Sequence, residues 1–317
     1  MIVWLASYPR SGNTFFRVIL NSVFGIKTYS IYDDKGDIGA EEKTSEVVGH
    51  EFLPQNFDIE KARFEEKIYY IKTHELLDNR VKETDKVIYL IRDGREATLS
   101  FTKHQNTFSK QNKKLKDTIY GNTFIGSWGE HVSSWSPKNR ENTLLIKFEE
   151  LTKEPIKFIE ILSNFLEVNP IGNDIPTFEE LKKINPKFFR SGKTNSWENI
   201  FTQEEHISFW MKNYKQMDEY GYDYKKPDNF DELLTNNILN LESVRQNSYI
   251  IKLILEENKN IQSINQRFNR LNQELEQKQK VIEQKNNELK EKNQELEQKQ
   301  KVIEQKNNEL KEKNQEL

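Results

Sequence analysis

The chain has 317 residues, with 48 basic and 51 acidic residues and a formal net charge of −3. This near balance leaves no overall field that would recruit nucleic acid or an anionic membrane. Zero cysteines exclude a disulfide framework and thiolate metal sites. No apolar run approaches the roughly 18 residues of a membrane helix, and the apolar start is too short for a signal peptide. We therefore expect a cytoplasmic protein with no membrane span and no nucleic-acid partner.

Composition divides the chain near Pro227. All 12 glycines, 8 prolines and 5 tryptophans lie at or before that residue, whereas the remainder consists largely of Glu, Lys, Gln and Asn with sparse aliphatic residues. Turn-forming residues and aromatics are typical of a folded domain, and their absence is typical of a long helix or a disordered tail. We predict an α/β domain over residues 1–226, a helical linker over 227–260 and a coiled coil over 261–317.

Short apolar runs alternate with helical patterns in the first part. Met1–Leu5 predicts a buried strand, and Ser11–Phe24 predicts a helix with apolar residues at helical spacing. Further apolar runs at Ile68–Ile71, Lys86–Ile91 and Thr143–Ile146 predict strands. This alternation favours a P-loop-like, three-layer α/β domain with a central parallel sheet.

Two polar stretches interrupt this alternation and are predicted to be loops. Asp33–Glu51 is rich in Gly, Asp, Glu and Ser, and Thr102–Gly126 is polar with little periodicity. These assignments place His50 and His104 in loops. Either stretch could shape a substrate entrance or be an ordinary surface insertion.

The tail contains an identical internal repeat. Residues 273–293 read QELEQKQKVIEQKNNELKEKN, residues 294–314 repeat them, and residues 315–317 begin a third copy, so we expect the repeat to continue in the natural protein. Apolar residues recur every seven positions at Ile261, Phe268, Leu275, Ile282, Leu289, Leu296, Ile303, Leu310 and Leu317. This spacing predicts a coiled coil, and 57 residues of helix would reach about 85 Å.

The second core position of this coiled coil is weaker. Ile264 and Leu271 supply it at first, but Lys278 and Lys285 continue the series. Polar core positions lower stability and favour a defined small oligomer. We expect a parallel homodimer, with a solitary charged helix as the alternative.

The first predicted strand leads into the run SYPRSGNTFFR, residues 7–17. A turn that enters a helix binds phosphate well, because the first amides of the helix have no internal partner and the dipole is positive there. The residues suited to such an anion site are Arg10, Ser11, Gly12, Asn13 and Thr14. The alternative is a strand-to-helix turn with incidental polar residues, and the Walker spacing with its Lys is absent.

Residues Tyr8–Thr14, YPRSGNT, resemble the 5′-phosphosulfate-binding loop of the sulfotransferase family, usually written YPKSGTTW. Members of that family transfer a sulfuryl group from 3′-phosphoadenosine 5′-phosphosulfate (PAPS) to an alcohol or amine without a metal. Arg10 stands where the family more often has Lys. The resemblance extends over about Ile2–Tyr224.

Two later segments are similar to the family's 3′-phosphate motifs. In KVIYLIRDGREATLS, residues 86–100, the resemblance implies that Arg92 and Ser100 bind the 3′-phosphate. The segment that begins at Phe189 resembles RKGxxGDWxxxFT and adds Arg190, Ser191 and Gly192. Ser191 replaces the usual Lys, and Asn195-Ser196 replaces Gly-Asp, which leaves Arg190 as the main charge there.

Three aromatic residues fall at positions where the family places rings on the adenine: Phe15, Phe148 and Phe178. Plain core packing is the alternative for each of them, since an apolar ring serves either use.

Residues 71–74, IKTH, resemble the segment that places the catalytic histidine of hydroxyl-directed members. His74 is the candidate general base, because a neutral imidazole can accept a hydroxyl proton near physiological pH. Arg10 and Lys72 are the candidates that neutralise the sulfonate and the leaving phosphate. A structural histidine at the end of a strand is the alternative for His74.

The sequence thus predicts a PAPS-dependent sulfotransferase that acts on a hydroxyl of a glycan, lipid or small molecule, with adenosine 3′,5′-bisphosphate (PAP) as product and no metal. A short connection between Asn185 and Arg190 favours an open acceptor site. A small-molecule kinase would need a Walker Lys and a Mg²⁺-binding acid, and neither is convincingly present. The remaining alternative is a catalytically degenerate nucleotide-binding domain that serves as a coiled-coil adaptor.

Overall fold

The structure is a computed structural model. It describes residues 1–34, 38–108, 112–186, 189, 196–228, 230–235, 259, 261–286, 290, 292–293, 296–297 and 299–301. The chain divides into two compact units, Met1–Leu234 and Thr235–Leu317.

A five-stranded parallel sheet forms the centre of the first unit, in the order β2-β3-β1-β4-β5. The strands are β1 (Ile2–Ser7), β2 (Thr28–Ser30), β3 (Tyr69–Thr73), β4 (Lys86–Ile91) and β5 (Thr143–Lys147). Four of them lie at the predicted apolar runs, and the α/β fold with a central parallel sheet is confirmed. The short strand β2 is an addition that the sequence did not predict.

Both faces of the sheet are buried. In β1, Ile2, Trp4 and Ala6 belong to one apolar cluster, whereas Val3 and Leu5 belong to the other. Successive side chains of a strand point to opposite faces, so a strand covered on both sides reads as a continuous apolar run. This is why the short apolar runs predicted the strands well.

Helices cover the two faces. They are α1 (Asn13–Phe24), α2 (Glu42–Val48), α3 (Ile59–Ala62), α4 (Gly94–Phe108), α5 (Leu115–Ile119), α6 (Trp128–Trp135), α7 (Phe148–Lys153), α8 (Lys157–Leu166), α9 (Phe178–Ile184) and α10 (Gln203–Glu219). Short 3₁₀ helices occur at Ile38–Ala40 and Ser196–Asn199.

The prediction of two loops is wrong in part. The first stretch contains α2, and α4 continues to Phe108, so His104 lies in a helix rather than in a loop. The buried face of this part of α4 includes Thr102 and Gln105, and the Thr102 hydroxyl donates to the carbonyl of Thr98 at 2.9 Å and contacts the Thr118 hydroxyl. Because this buried face is polar, hydrophobic periodicity gave no sign of the helix.

The strand order places β1 between β3 and β4, so the chain crosses over the central strand after β3. In open parallel sheets, ligands bind at such a switch point, outside the carboxyl ends of the strands. The segments that follow β1, β3 and β4 meet at this edge, and they contain the three motifs singled out in the sequence.

The second unit is helical over residues 261–286, and the side chains of these residues are exposed. A helix agrees with the predicted tail, whereas its pairing with another helix stays a prediction. Within the described part of the chain, we find no helix with the length and apolar character needed to cross a bilayer.

The buried carboxylate of Asp85, which is 4% exposed, lies at the amino ends of the strands, on the side of the sheet opposite the carboxyl ends. It accepts hydrogen bonds from Trp4 Nε1 at 2.9 Å, from the Lys82 amide at 3.0 Å and from Arg63 Nη2 at 2.7 Å. Burial alone would raise the pKa of Asp85, but these hydrogen bonds outweigh it and hold the pKa below its usual value. Asp85 therefore joins the starts of β1 and β4 to the segment after α3.

We predict that Asp85→Asn lowers the free energy of unfolding by about 3 kcal/mol, because it removes the buried carboxylate from the largely buried Arg63 guanidinium and leaves only the exposed Glu60 as its charge partner. Urea unfolding followed by tryptophan fluorescence measures this, since all tryptophans lie in the first unit. Glu83→Gln, at an exposed neighbour, is the matched control. Equal unfolding curves for the two variants would contradict the prediction.

Candidate functional site

A cavity of about 520 Å³ opens at the carboxyl edge of the sheet. Its walls come from the segments after β1, β2, β3 and β4, together with α4 and α9. The residues that line it are Pro9, Arg10, Gly12, Asn13, Thr14, Phe15, Tyr32, Asp34, Ile38, Lys72, His74, Arg92, Glu96, Leu99, Ser100, Phe101, Lys103, His104, Phe124, Phe148, Phe178, Phe189 and Ser196. Most of the residues predicted from the sequence are among them.

The turn between β1 and α1 has an unusual backbone. Arg10 has φ 67° and Gly12 has φ 95°, both in the left-handed region. Gly12 caps α1 and has no side chain to accept from the first amides of the helix. The helix therefore begins at the cavity wall with the geometry of an anion site. Ser11 is an exception among the predicted residues, since it is fully buried and does not line the cavity.

Gly12 is also required by a close contact. A Cβ atom at this position would lie 2.4 Å from Cδ2 of Phe148. The Phe148 ring also contacts the guanidinium of Arg92, whose Cζ lies 4.5 Å from the ring centroid. The first residue of α7 thus packs between the two motifs predicted to bind phosphate.

Arg92 joins these motifs directly. Its Nη1 donates to the carbonyl of Arg10 at 2.9 Å, and its Nη2 lies 3.7 Å from Oε2 of Glu96. Burial lowers the pKa of Arg92, and the negative charge of Glu96 opposes that shift. Arg10 in turn donates from Nε to the hydroxyl of Ser100 at 3.3 Å. The residues predicted for the 5′ and 3′ ends of one ligand are therefore neighbours.

The rings of Phe15 and Phe178 stack on each other, with centroids 4.6 Å apart and planes 26° from parallel. No slot for a planar group lies between two rings at this separation. A base would have to lie on an outer face of this pair.

Lys72 and His74 extend from the end of β3 into the same cavity. The Lys72 ammonium lies 3.6 Å from Oδ2 of Asp34, and both side chains are buried. Nδ1 of His74 lies 2.8 Å from the carbonyl oxygen of Ser7. The Ser7 hydroxyl also lies 3.2 Å from this nitrogen. Because a carbonyl can only accept, the shorter contact assigns the proton to Nδ1 and leaves the lone pair on Nε2.

Burial lowers the pKa of His74 well below its ordinary value, and the positive charge of Lys72 adds to the effect. The imidazole is therefore neutral at physiological pH. Its position and protonation state are those required of a group that accepts a proton from a hydroxyl in the cavity.

The sequence missed several lining residues, among them Tyr32, Asp34 and Glu96. Tyr32 and Asp34 lie outside every quoted motif, and no periodic pattern marked them. Glu96 could have been found, because it lies one helical turn after Arg92 inside the second motif. The predicted residues Arg190, Ser191 and Gly192 lie outside the described residues, whereas Phe189 and Ser196 on either side of them line the cavity. Within the described ranges, no cluster of three or more His, Asp or Glu side chains could hold a metal ion.

We predict that Gly12→Ala lowers the free energy of unfolding by about 2 kcal/mol, since the methyl group meets Phe148 and the backbone is left-handed. Gly172→Ala is the matched control, because a Cβ there meets nothing within 4 Å. Urea unfolding followed by tryptophan fluorescence separates the two. A Gly12→Ala protein as stable as the Gly172→Ala protein would contradict the assignment of Gly12.

Two sulfotransferases are similar in sequence to this chain. Sulfotransferase 1B1 of Mus musculus is 28% identical over 243 residues, which cover 65% of this chain and 79% of the relative. Flavonol 3-sulfotransferase of Flaveria bidentis is 24% identical over 248 residues, which cover 64% of this chain and 77% of the relative.

Two solved structures resemble part of this chain. The crystal structure of mouse sulfotransferase SULT7A1 complexed with PAP is 21% identical, covers 75% of this chain and 88% of that chain, and has a TM-score of 0.48. Retinol dehydratase in complex with androsterone and inactive cofactor PAP is 20% identical, covers 72% of this chain and 81% of that chain, and has a TM-score of 0.46.

Residues 2–221 match the sulfotransferase domain. This range contains the whole sheet and every described residue that lines the cavity. The resemblance predicted from the motifs is confirmed, and the chain belongs to the sulfotransferase domain family.

Proposed function

We propose that this enzyme transfers a sulfuryl group from PAPS to the hydroxyl of a glycan, a lipid or a small molecule. One observation carries the proposal: a glycine-capped helix start, a buried arginine and a neutral histidine with an available Nε2 lone pair converge on one cavity. Such a cavity offers cationic and amide donors to phosphate and a proton acceptor to a hydroxyl.

The donor would occupy the part of the cavity formed by the first two motifs. The amides at the start of α1, with Arg10, Asn13 and Thr14, would hold the 5′-phosphosulfate, and Arg92 with Ser100 would hold the 3′-phosphate. The cavity fits a planar, polyanionic ligand, because its cationic residues lie beside the aromatic surfaces of Phe15, Phe148 and Phe178. Arg190, Ser191 and Gly192 would add to the 3′-phosphate site, as the resemblance implies.

When bound, PAPS supplies the sulfuryl group. His74 would accept the proton of the acceptor hydroxyl at Nε2, and Arg10 and Lys72 would neutralise the charge that develops on the leaving phosphate. The Lys72 ammonium lies 3.6 Å from the Asp34 carboxylate, so this cation is held in the cavity before a ligand arrives. Arg10 serves by its charge, because a guanidinium does not give up its proton.

The acceptor would approach from the side of the cavity where Tyr32, Phe101 and Phe124 lie. Phe101 is 7% exposed and Phe124 is 73% exposed, so this side runs from a closed apolar wall to an open rim. The open rim supports an acceptor larger than the cavity, of which one hydroxyl reaches His74.

Calorimetric binding of PAP tests the proposal. We expect wild type to bind PAP at least about 100-fold more tightly than adenosine 5′-monophosphate, because the 3′-phosphate makes charge-assisted hydrogen bonds with Arg92 and Ser100. Arg92→Lys and Ser100→Ala should each narrow this ratio, whereas His74→Ala should retain it.

Arg92→Lys preserves a charge beside Glu96, so it avoids the unpaired buried carboxylates that an alanine would leave. Folded wild-type protein that binds neither nucleotide would overturn the enzymatic proposal. That result would favour the alternative of a degenerate domain that serves as a coiled-coil adaptor.

We also propose that the tail pairs two copies of the chain as a parallel coiled coil. In the single chain, the apolar residues of the predicted seam are exposed by more than half: Ile261 by 52%, Ile264 by 63%, Phe268 by 61%, Leu271 by 56% and Leu275 by 56%. Both core positions are apolar only in this first part, and Lys278 and Lys285 follow. The stabilising contacts are therefore concentrated before the repeats, and the repeats extend the helix as a charged spacer.

Sedimentation of the full chain at micromolar concentration should give a dimer for wild type and a monomer for the double variant Ile264→Ser with Phe268→Ser. Asn269→Ser, on a polar position of the same turn, is the control and should remain dimeric. PAP affinity should be equal in all three proteins. A monomeric wild type would contradict the proposed coiled coil.

A further inference from the structure

Tyr32 contacts both residues at the end of β3 that are proposed to act in the reaction. Its hydroxyl accepts a hydrogen bond from the backbone amide of His74 at 2.9 Å. Its ring stacks on the His74 imidazole, with centroids 6.2 Å apart and planes 18° from parallel. The Lys72 ammonium lies 5.4 Å from the centroid of the same ring. None of the sequence motifs contains Tyr32.

The local backbone explains why Tyr32 reaches this place. The parallel ladder between β2 and β3 continues for one bond past β2, where the amide of Ile31 donates to the carbonyl of Lys72 at 3.2 Å. The amide of Tyr32 then donates to the hydroxyl of Ser30 at 3.2 Å, which turns the chain. Because β3 ends at Thr73, the next amide lies beyond the ladder, and the phenol takes the place of a strand partner.

His74 is thus held from two directions. Tyr32 holds the backbone amide and one ring face, whereas Ser7 holds Nδ1 through its carbonyl oxygen at 2.8 Å. The contact with Ser7 determines which nitrogen carries the proton, and it requires the imidazole to remain in one orientation. The contact with Tyr32 supplies that orientation.

We infer that Tyr32 is the positioning residue for His74, holding the imidazole so that Nδ1 donates to Ser7 and Nε2 stays available as the proton acceptor. This role rests on the proposed function of His74. Tyr32 acts through His74 and takes no proton itself. Burial raises the pKa of Tyr32 to about 12, so the phenol is neutral at physiological pH.

The pKa of His74 depends strongly on where the imidazole lies, because charged groups surround it. Burial is the main factor that opposes a positive charge on the imidazole and lowers its pKa, and the charges of Lys72, His131 and Arg10 add to this effect. Asp34 lies against Lys72, and Glu75 and Arg80 act on Tyr32 from the segment after β3. Loss of the Tyr32 anchor would let the ring move toward water, and its pKa would then rise toward the ordinary value of about 6.5.

Imidazole nitrogen NMR of ¹⁵N-histidine-labelled full chain tests the inference without an acceptor. The chain has five histidines, and His74→Ala assigns the signal. Tyr32→Phe removes only the hydroxyl, and Tyr32→Leu also removes the stacked ring. Tyr29→Phe is the matched control, since the Tyr29 hydroxyl donates to Glu51 at 2.7 Å outside the cavity.

We expect His74 in wild type and Tyr29→Phe to be neutral at pH 7 with the proton on Nδ1. In Tyr32→Phe the proton should be shared between the two nitrogens, and the pKa should rise by about one unit. Tyr32→Leu should show a larger change of both kinds. A Tyr32→Phe spectrum and titration identical to those of Tyr29→Phe would overturn the inference.

Calorimetric binding of PAP to the same proteins distinguishes a failure of the Tyr32 positioning role from a failure of the proposed sulfotransferase function. Equal PAP affinity in wild type, Tyr32→Phe and Tyr29→Phe is expected, because Tyr32 contacts no residue of the two phosphate motifs in the described contacts. Failure of wild type to bind PAP would count against the proposed function, whatever the histidine spectra show. A loss of PAP affinity confined to Tyr32→Phe would overturn the positioning role, since Tyr32 would then hold the donor site.

Discussion

The hydrogen bond from Arg92 to the carbonyl of Arg10 joins the two parts of the site. It connects the turn after β1 to the segment after β4, and it fixes a carbonyl in a turn where both Arg10 and Gly12 are left-handed. Phe148 fills the space between the two motifs, against Gly12 on one side and Arg92 on the other. Without a glycine at residue 12 the ring could not pack there, and the guanidinium would lose its support. The cavity therefore depends on one close contact between a backbone and a ring.

Two cations of the site are already paired with carboxylates within the protein. Arg92 lies near Glu96, and Lys72 lies near Asp34. A buried cation without a partner would be costly, so these carboxylates allow two positive charges to remain in the cavity before a ligand enters. The Glu96 carboxylate also accepts from the Ser196 hydroxyl at 3.0 Å and from the Trp197 amide at 3.1 Å. The carboxylate beside Arg92 is thus hydrogen-bonded to Ser196 and Trp197, which belong to the segment that begins at Phe189.

Sequence reasoning succeeded where a local pattern has one physical meaning. Strands buried on both faces read as apolar runs, and a strand followed by a glycine-containing turn and a helical pattern has one meaning, so β1, α1 and the turn with Arg10 and Gly12 could be predicted. Anion binding by this turn stays a prediction. Sequence reasoning failed where the cause is tertiary. Tyr32 matters because β3 ends opposite it. His104 lies in the last part of α4, where the buried residues Thr102 and Gln105 are polar. Phe15 and Phe178 stack on each other because α1 and α9 meet. The spacing of residues along the chain does not indicate these tertiary contacts.

In the proposed site, one cavity holds both phosphates of the nucleotide. A crystal structure of the full chain with PAP tests it most directly. The account predicts the 5′-phosphate at the amides that begin α1 and the 3′-phosphate against Arg92 and Ser100, with His74 on the side of the 5′-phosphate. PAP bound elsewhere, or bound with its 3′-phosphate away from Arg92, would contradict the account.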